Sequence, residues 1–120
     1  MERVEFISLE ENENDLIVSF AVAHENIGVK SLILHRTMLH EEILDEEDRG
    51  VRVSMEGENL KFDDRNLLQN FEIDDEKIEI VSTYSKYYLD ISRIESSELA
   101  EMVELLRKQN YDSRFTIQVA

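Results

Sequence analysis

Apolar positions along this chain alternate with polar ones in a pattern that predicts strands. Successive side chains of a strand point to opposite faces, so a strand that packs one face on a core alternates in this way. Seven segments are strand-like, at residues 4–9, 16–23, 30–37, 51–55, 78–83, 87–92 and 115–119. The polar residues 10–15 join the first two strands as a hairpin, and a turn at 56–59 leads into a further short strand at 60–62.

One segment near the C-terminus has helical periodicity instead. Its apolar residues recur three and four positions apart and form one stripe, made of Leu99, Met102, Val103 and Leu106. Ser96 or Ser97 is predicted to cap the N-terminus of this helix, which ends at about Gln109. Residues 63–77 are ambiguous, because they fit either one turn of helix or an irregular crossing.

These elements predict the fold class. Antiparallel strands, one late helix and a final strand indicate an α+β fold with mainly antiparallel sheet, six to eight strands and a helix on one face. A curved, barrel-like sheet is an alternative to a flat one. With no proline, three glycines and no linker-like stretch, residues 1–120 are expected to form a single domain.

The charge balance changes the picture most. The chain carries 28 Asp and Glu against 13 Lys and Arg, a net charge of −15. Such a field repels nucleic acid and anionic membrane and attracts basic partners. The acids are densest at Glu41, Glu42, Asp45, Glu46, Glu47 and Asp48. A solvated surface that keeps the protein soluble explains this charge as readily as a partner-binding face does.

The remaining composition restricts the class of protein. There is no cysteine, which excludes disulfides, a thiolate nucleophile and cysteine-ligated zinc. The N-terminus lacks the basic and then apolar layout of a signal peptide, and no apolar run is long enough to span a bilayer. The expectation is therefore a cytoplasmic protein that does not bind membrane.

No catalytic motif is found, so the chain is predicted not to be an enzyme and to need no cofactor. Nucleophile-elbow and phosphate-loop motifs are both missing. His35, His40 and Glu41 are a conceivable set of metal ligands, but their spacing matches no helical metal motif. We therefore predict no metal ligands.

Two groups of residues are candidate contacts to a protein partner. The six acids between Glu41 and Asp48 would steer a basic partner, and Tyr84, Tyr87 and Tyr88 at a predicted hairpin tip would anchor it. The alternative for the tyrosines is core packing, since tyrosine is common in strands.

Part of the layout resembles immunity proteins of bacterial polymorphic-toxin systems, in particular the family known as immunity protein ten. The resemblance rests on the strand end 32–36, the acidic stretch that runs into 48–50, the strand pair at 78–91 and the closing helix 98–108. It covers about residues 30–109 and implies a cytoplasmic inhibitor that neutralises a cognate, basic toxin by occlusion.

A different class of function is left open beside it. The run of strands with a late helix also suits a non-catalytic scaffold, such as a pleckstrin-homology-type barrel, or a small acidic secretion chaperone. The oligomeric state separates these possibilities, and the sequence does not determine it.

Overall fold

The computed structural model describes residues 1–58 and 65–120, which form eight strands and one α-helix. The predicted α+β class and the final strand after the helix are confirmed. The strands are β1 (Glu2–Glu11), β2 (Asp15–His24), β3 (Gly28–Thr37), β4 (Arg52–Met55), β5 (Leu68–Ile73), β6 (Lys77–Ser82), β7 (Lys86–Asp90) and β8 (Thr116–Val119), and the helix is α1 (Ser96–Gln109). The predicted strand at 60–62 lies outside the described residues.

All eight strands belong to one sheet, in the order β4-β3-β2-β1-β7-β6-β5-β8. Consecutive strands pair antiparallel within β1–β4 and within β5–β7. Two parallel pairings complete the sheet, a short one between β1 and β7 and a longer one between β5 and β8. The sheet is therefore mainly antiparallel, as expected.

The sheet curls so that β4 meets the start of β5. Arg52 forms an antiparallel bridge with Leu67. The N–H of Val53 donates to the carbonyl of Asn66, and the N–H of Leu68 donates to the carbonyl of Val51, each over 2.8 Å. Hydrogen bonds therefore join β4, at one end of the strand order, to the start of β5, which is next to the other end, so the sheet has a barrel-like curl.

The core lies on the inner face of this curl and is closed by α1. Among the residues that the structure describes, twenty-three buried hydrophobic side chains form one cluster. The helix contributes Met102, Leu105 and Leu106, which are all buried. Leu99 and Val103 are only partly buried, so the predicted stripe is rotated toward Leu105. Two side chains that we expected in the core are thus left at its margin.

The structure corrects two local predictions. The described part of the ambiguous stretch, residues 65–77, contains the strand β5, which the sequence pattern did not indicate. Its register shifts between Leu68 and Asn70, so Leu68, Phe71 and Ile73 all point inward at an uneven spacing that hides the strand pattern. The N-cap of α1 is Glu95, not a serine, and it forms no side-chain capping bond.

Candidate functional site: the acidic segment and its buried arginine

Arg36, near the end of β3, is completely buried. Alternation along β3 points its side chain inward with Leu32 and Leu34, toward the end of α1. Nε and Nη2 donate to the two carboxylate oxygens of Glu41 over 3.1 and 2.7 Å. Nη1 and Nη2 donate to the two carboxylate oxygens of Asp112 over 2.7 and 3.0 Å. The buried guanidinium therefore forms bidentate hydrogen bonds with both carboxylates.

Two further contacts complete the cluster. Nη1 of Arg36 donates to the carbonyl of Gln109 over 2.9 Å, which ties it to the last residue of α1. Nη2 donates to the hydroxyl of Tyr111 over 3.0 Å, and this hydroxyl donates to Oε1 of Glu41 over 3.0 Å. The ring of Tyr111 also lies 4.2 Å from Cζ of Arg36, a cation–π contact.

The charges of the cluster reinforce each other. Burial alone would lower the pKa of Arg36, but its bonds to Asp112 and Glu41 raise it above its ordinary value. Burial likewise opposes ionisation of Glu41, yet the bonds from Arg36 and Tyr111 hold the pKa of that carboxyl below its ordinary value. The guanidinium of Arg36 lowers the pKa of Asp112 strongly, and Arg114 adds to this effect. All three groups are therefore charged at neutral pH.

This cluster orders the acidic segment, by which we mean Glu41–Asp48. The segment contains two short 3-10 turns, Glu41–Ile43 and Glu46–Asp48. The guanidinium of Arg49 donates to the carbonyls of Leu44 and Glu42. These bonds connect Arg49 to the backbone of the segment.

Two more arginines reach the same segment from other parts of the chain. Arg65 lies 3.3 Å from a carboxylate oxygen of Asp48. Arg114 donates to the carbonyl of Glu46, and its Nη2 lies 3.7 Å from the carboxylate of that residue. The acidic segment is thus partly neutralised by its own protein, which the linear charge pattern did not indicate.

The six predicted steering acids consequently differ in position. Glu41 is buried against Arg36 and cannot contact a partner, so its assignment as a surface acid is wrong. Asp48 is half-buried beside Arg65. The exposed members are Glu42, Asp45, Glu46 and Glu47.

The three tyrosines that we predicted as anchors also differ in their exposure. Tyr87 points into the core and is 6% exposed, which corrects its assignment as an anchor. Its hydroxyl donates to Glu58 over 2.9 Å, and burial raises its pKa to about 12. Tyr84 in the β6–β7 turn and Tyr88 on the outer face of β7 are about half exposed. Alternation along β7 explains the split, because adjacent residues face opposite sides.

Sequence reasoning missed three exposed side chains around the acidic segment. Leu39, Ile43 and Tyr111 are 54%, 78% and 60% exposed. Ile43 belongs to the same 3-10 turn as Glu41, Leu39 precedes that turn, and Tyr111 bonds to Glu41 directly. We name the surface formed by Leu39, Glu42, Ile43, Asp45 and Tyr111 the anchor face. Its signal in the sequence was the apolar pair Ile43-Leu44 inside a run of acids.

The histidines do not assemble into a metal site. Nε2 of His35 lies 2.8 Å from a carboxylate oxygen of Asp15, whereas Glu41 faces Arg36 and His40 is exposed. Within residues 1–58 and 65–120, no three histidine or acidic side chains converge as metal ligands. His40 instead takes a left-handed backbone conformation, with φ of 62°, where the first 3-10 turn begins.

Comparison with known proteins does not assign the chain to a group. No family model, curated protein or solved structure gives a significant match. In the part of the chain that the structure describes, no helix combines the length and apolar character that crossing a bilayer requires. Inferences about function therefore rest on the geometry of the molecule itself.

Proposed function

We propose that this protein is an acidic protein-binding module that acts as an immunity or inhibitor protein. It neutralises a cognate, basic toxin by occluding its working surface. The observation that carries the proposal is Ile43, an isoleucine 78% exposed on a loop that a buried arginine cluster holds in place. Exposed carboxylates of Glu42 and Asp45 flank it.

Rigidity makes this arrangement suitable for binding. A mobile loop would lose conformational entropy on association, which weakens affinity, and a loop ordered beforehand avoids most of that cost. The Arg36 cluster and the bonds from Arg49 supply this order. An apolar residue at the centre of acidic neighbours has the layout of an interface hot spot with a polar rim.

The charge of the molecule supports a basic partner. A net charge of −15 favours rapid encounter with a basic protein and disfavours nucleic acid and anionic membrane. A toxin that acts on nucleic acid presents a basic surface to its substrate. Glu42, Asp45, Glu46 and Glu47 would cover such a surface, while Ile43, Leu39 and Tyr111 would slow dissociation. We place this interaction in the cytoplasm, where a protein without cysteine loses nothing by lacking disulfides.

The test is capture of the partner from native lysate with the full chain as bait, washed at low and then high salt. We expect a basic protein that is retained at low salt and weakened at high salt. The affinity of the purified partner for the Ile43→Asp variant should then be lower than for the wild type by about tenfold or more. Ile27→Asp is the matched control, because Ile27 is an equally apolar residue, 60% exposed in the distant β2–β3 turn. An empty capture, or equal losses for both variants, would overturn the proposal.

A further inference from the structure

A second binding surface is suggested by β8, which forms the end of the sheet opposite β4. Within the described residues its one strand partner is β5. The N–H of Ala120 donates to the carbonyl of Ile73 over 2.9 Å. Since successive N–H groups of a strand point to opposite sides, those of Ile117 and Val119 point away from β5. The outer edge of β8 thus presents main-chain groups that another strand could pair with.

This edge strand is only four residues long, but it has no charge, proline or bulge to protect it. Edge strands are commonly guarded by lysine, proline, a bulge or an inward-pointing charge. The four residues of β8 are Thr116, Ile117, Gln118 and Val119, with no charge and no proline, and three of them are exposed. Its pairing with β5 is regular over all four residues, without a bulge.

An apolar groove lies beside this edge, between β8 and α1. Its volume is about 400 Å³. The hydrophobic side chains that line it are Ile73, Ile94, Leu99, Val103 and Val119. Leu99 and Val103 stand one helical turn apart and are the two stripe residues that the core leaves partly exposed. The groove therefore offers apolar contact to alternate side chains of a strand added to β8.

The charges at the groove indicate which strand would fit. Both charged residues in its lining, Asp74 and Asp75, are acids. Backbone N–H groups of Glu76 and Lys77 donate to Asp74 and hold its pKa below its ordinary value. Asp75 is exposed at the rim. A basic segment would be attracted here, whereas a second copy of this chain would bring a like charge of −15.

We infer that β8 and this groove bind an extended, basic segment of another protein by strand addition. The segment pairs its backbone with Ile117 and Val119, places alternate aliphatic side chains against Leu99 and Val103, and directs a lysine or arginine to Asp75. The inference is independent of the proposed function, because it uses a different edge of the molecule from the anchor face.

The experiment is an NMR titration of the full, isotope-labelled chain with two capped heptapeptides. One alternates lysine with valine and the other alternates glutamate with valine. With the lysine peptide we expect saturable shifts of the amides of Ile117 and Val119 and the methyl groups of Leu99 and Val103. The glutamate peptide should bind about tenfold more weakly or not at all. Equal binding of both peptides, or shifts confined to other surfaces, would overturn the inference.

Variants of β8 distinguish backbone pairing with the lysine peptide from contact through side chains alone. Val119→Pro removes an N–H that points away from β5, so it should keep the fold and lose about tenfold in affinity. Val119→Ala retains that N–H and should stay within about threefold of the wild type. Undiminished binding by a folded Val119→Pro variant would contradict strand addition.

Two further measurements keep the inference testable if Val119→Pro does not fold. Asp75→Lys reverses an exposed charge and should weaken the lysine peptide by about threefold or more, while Ile43→Asp should leave it unchanged. Sedimentation of the protein without peptide should give a monomer. A concentration-dependent dimer that Val119→Lys disrupts would assign the edge to a second copy and overturn the inference.

Discussion

Two acidic stretches of this chain have similar composition and opposite structural roles. The end of the β1–β2 hairpin, residues 10–15, carries four acids in six positions, and the acidic segment carries six in eight. In the turn, the side chain of Asn12 accepts the N–H groups of Asn14 and Asp15 and closes a local loop. Glu11, the last residue of β1, forms an ion pair with Lys108 of the helix, and the two side chains are 50% and 56% exposed.

The acidic segment differs because a buried cation faces it. Arg36 is 0% exposed and converts Glu41 from a surface charge into part of the interior. Density of acids in the sequence therefore does not identify the residues that can meet a partner. The position of the opposing arginine does, because a buried charge must be paired whereas an exposed one need not be.

Removal of Arg36 should have the largest effect on stability. Arg36→Met leaves Glu41 and Asp112 close together without their cation, and breaking a buried pair in this way costs about 3–5 kcal/mol. The measurement is the free energy of unfolding from urea denaturation. Arg36→Lys keeps the charge but cannot form both bidentate contacts, so its loss should be intermediate. A loss for Arg36→Met below about 1 kcal/mol would contradict a structural role for the cluster.

Lowering the pH should have the next largest effect on stability, because it weakens the same cluster. The ordinary pKa values of Glu41 and Asp112 are 4.5 and 3.8, and both are lowered in the folded protein. Their stabilisation is complete above those values and is lost as the pH falls through the lowered ones, because protonation then favours the unfolded chain. Urea midpoints between pH 7 and pH 3 should fall less steeply for Glu41→Gln than for the wild type. Equal slopes would show that Glu41 is not coupled to folding.

The sequence was sufficient for the elements whose patterns are local. Alternation located β1, β2, β3, β4, β6, β7 and β8, and the spacing of Met102 and Leu106 located α1. The sequence pattern did not locate β5, because a register shift places Leu68 and Phe71 three residues apart on the same face. It also placed Leu99 and Val103 in the core stripe because periodicity does not reveal how a helix is rotated on a sheet.

The candidate site was less predictable, since it depends on contacts between distant residues. Arg36 and Asp112 are 76 positions apart, and no local pattern connects them. A basic residue at an inward position of a strand was the available signal, because an arginine among Leu32 and Leu34 requires buried acids as partners. The exposure of Ile43, which lies in the same 3-10 turn as Glu41, could not be read from composition.

The hydroxyl of Tyr111 should make a smaller contribution to the same cluster. Tyr111→Phe keeps the ring over Arg36 but removes a group that accepts from the arginine and donates to Glu41. We expect a loss of about 1 kcal/mol in the free energy of unfolding. Tyr111→Ala should lose more, since the cation–π contact is removed as well. If the two variants lose equal stability, the ring contact contributes nothing.

The smallest expected effect on stability concerns the ion pair between the end of β1 and the helix. Lys108→Met removes the charge that meets Glu11 but keeps the aliphatic stem, which lines a shallow cleft with Leu9 and Leu105. An exposed ion pair of this kind contributes about 0–1 kcal/mol, so we expect a loss below about 0.5 kcal/mol. Added salt should abolish even this difference, because it screens exposed charges, while the loss for Arg36→Met should persist. A large, salt-resistant loss for Lys108→Met would mean that the two acidic stretches are stabilised in the same way.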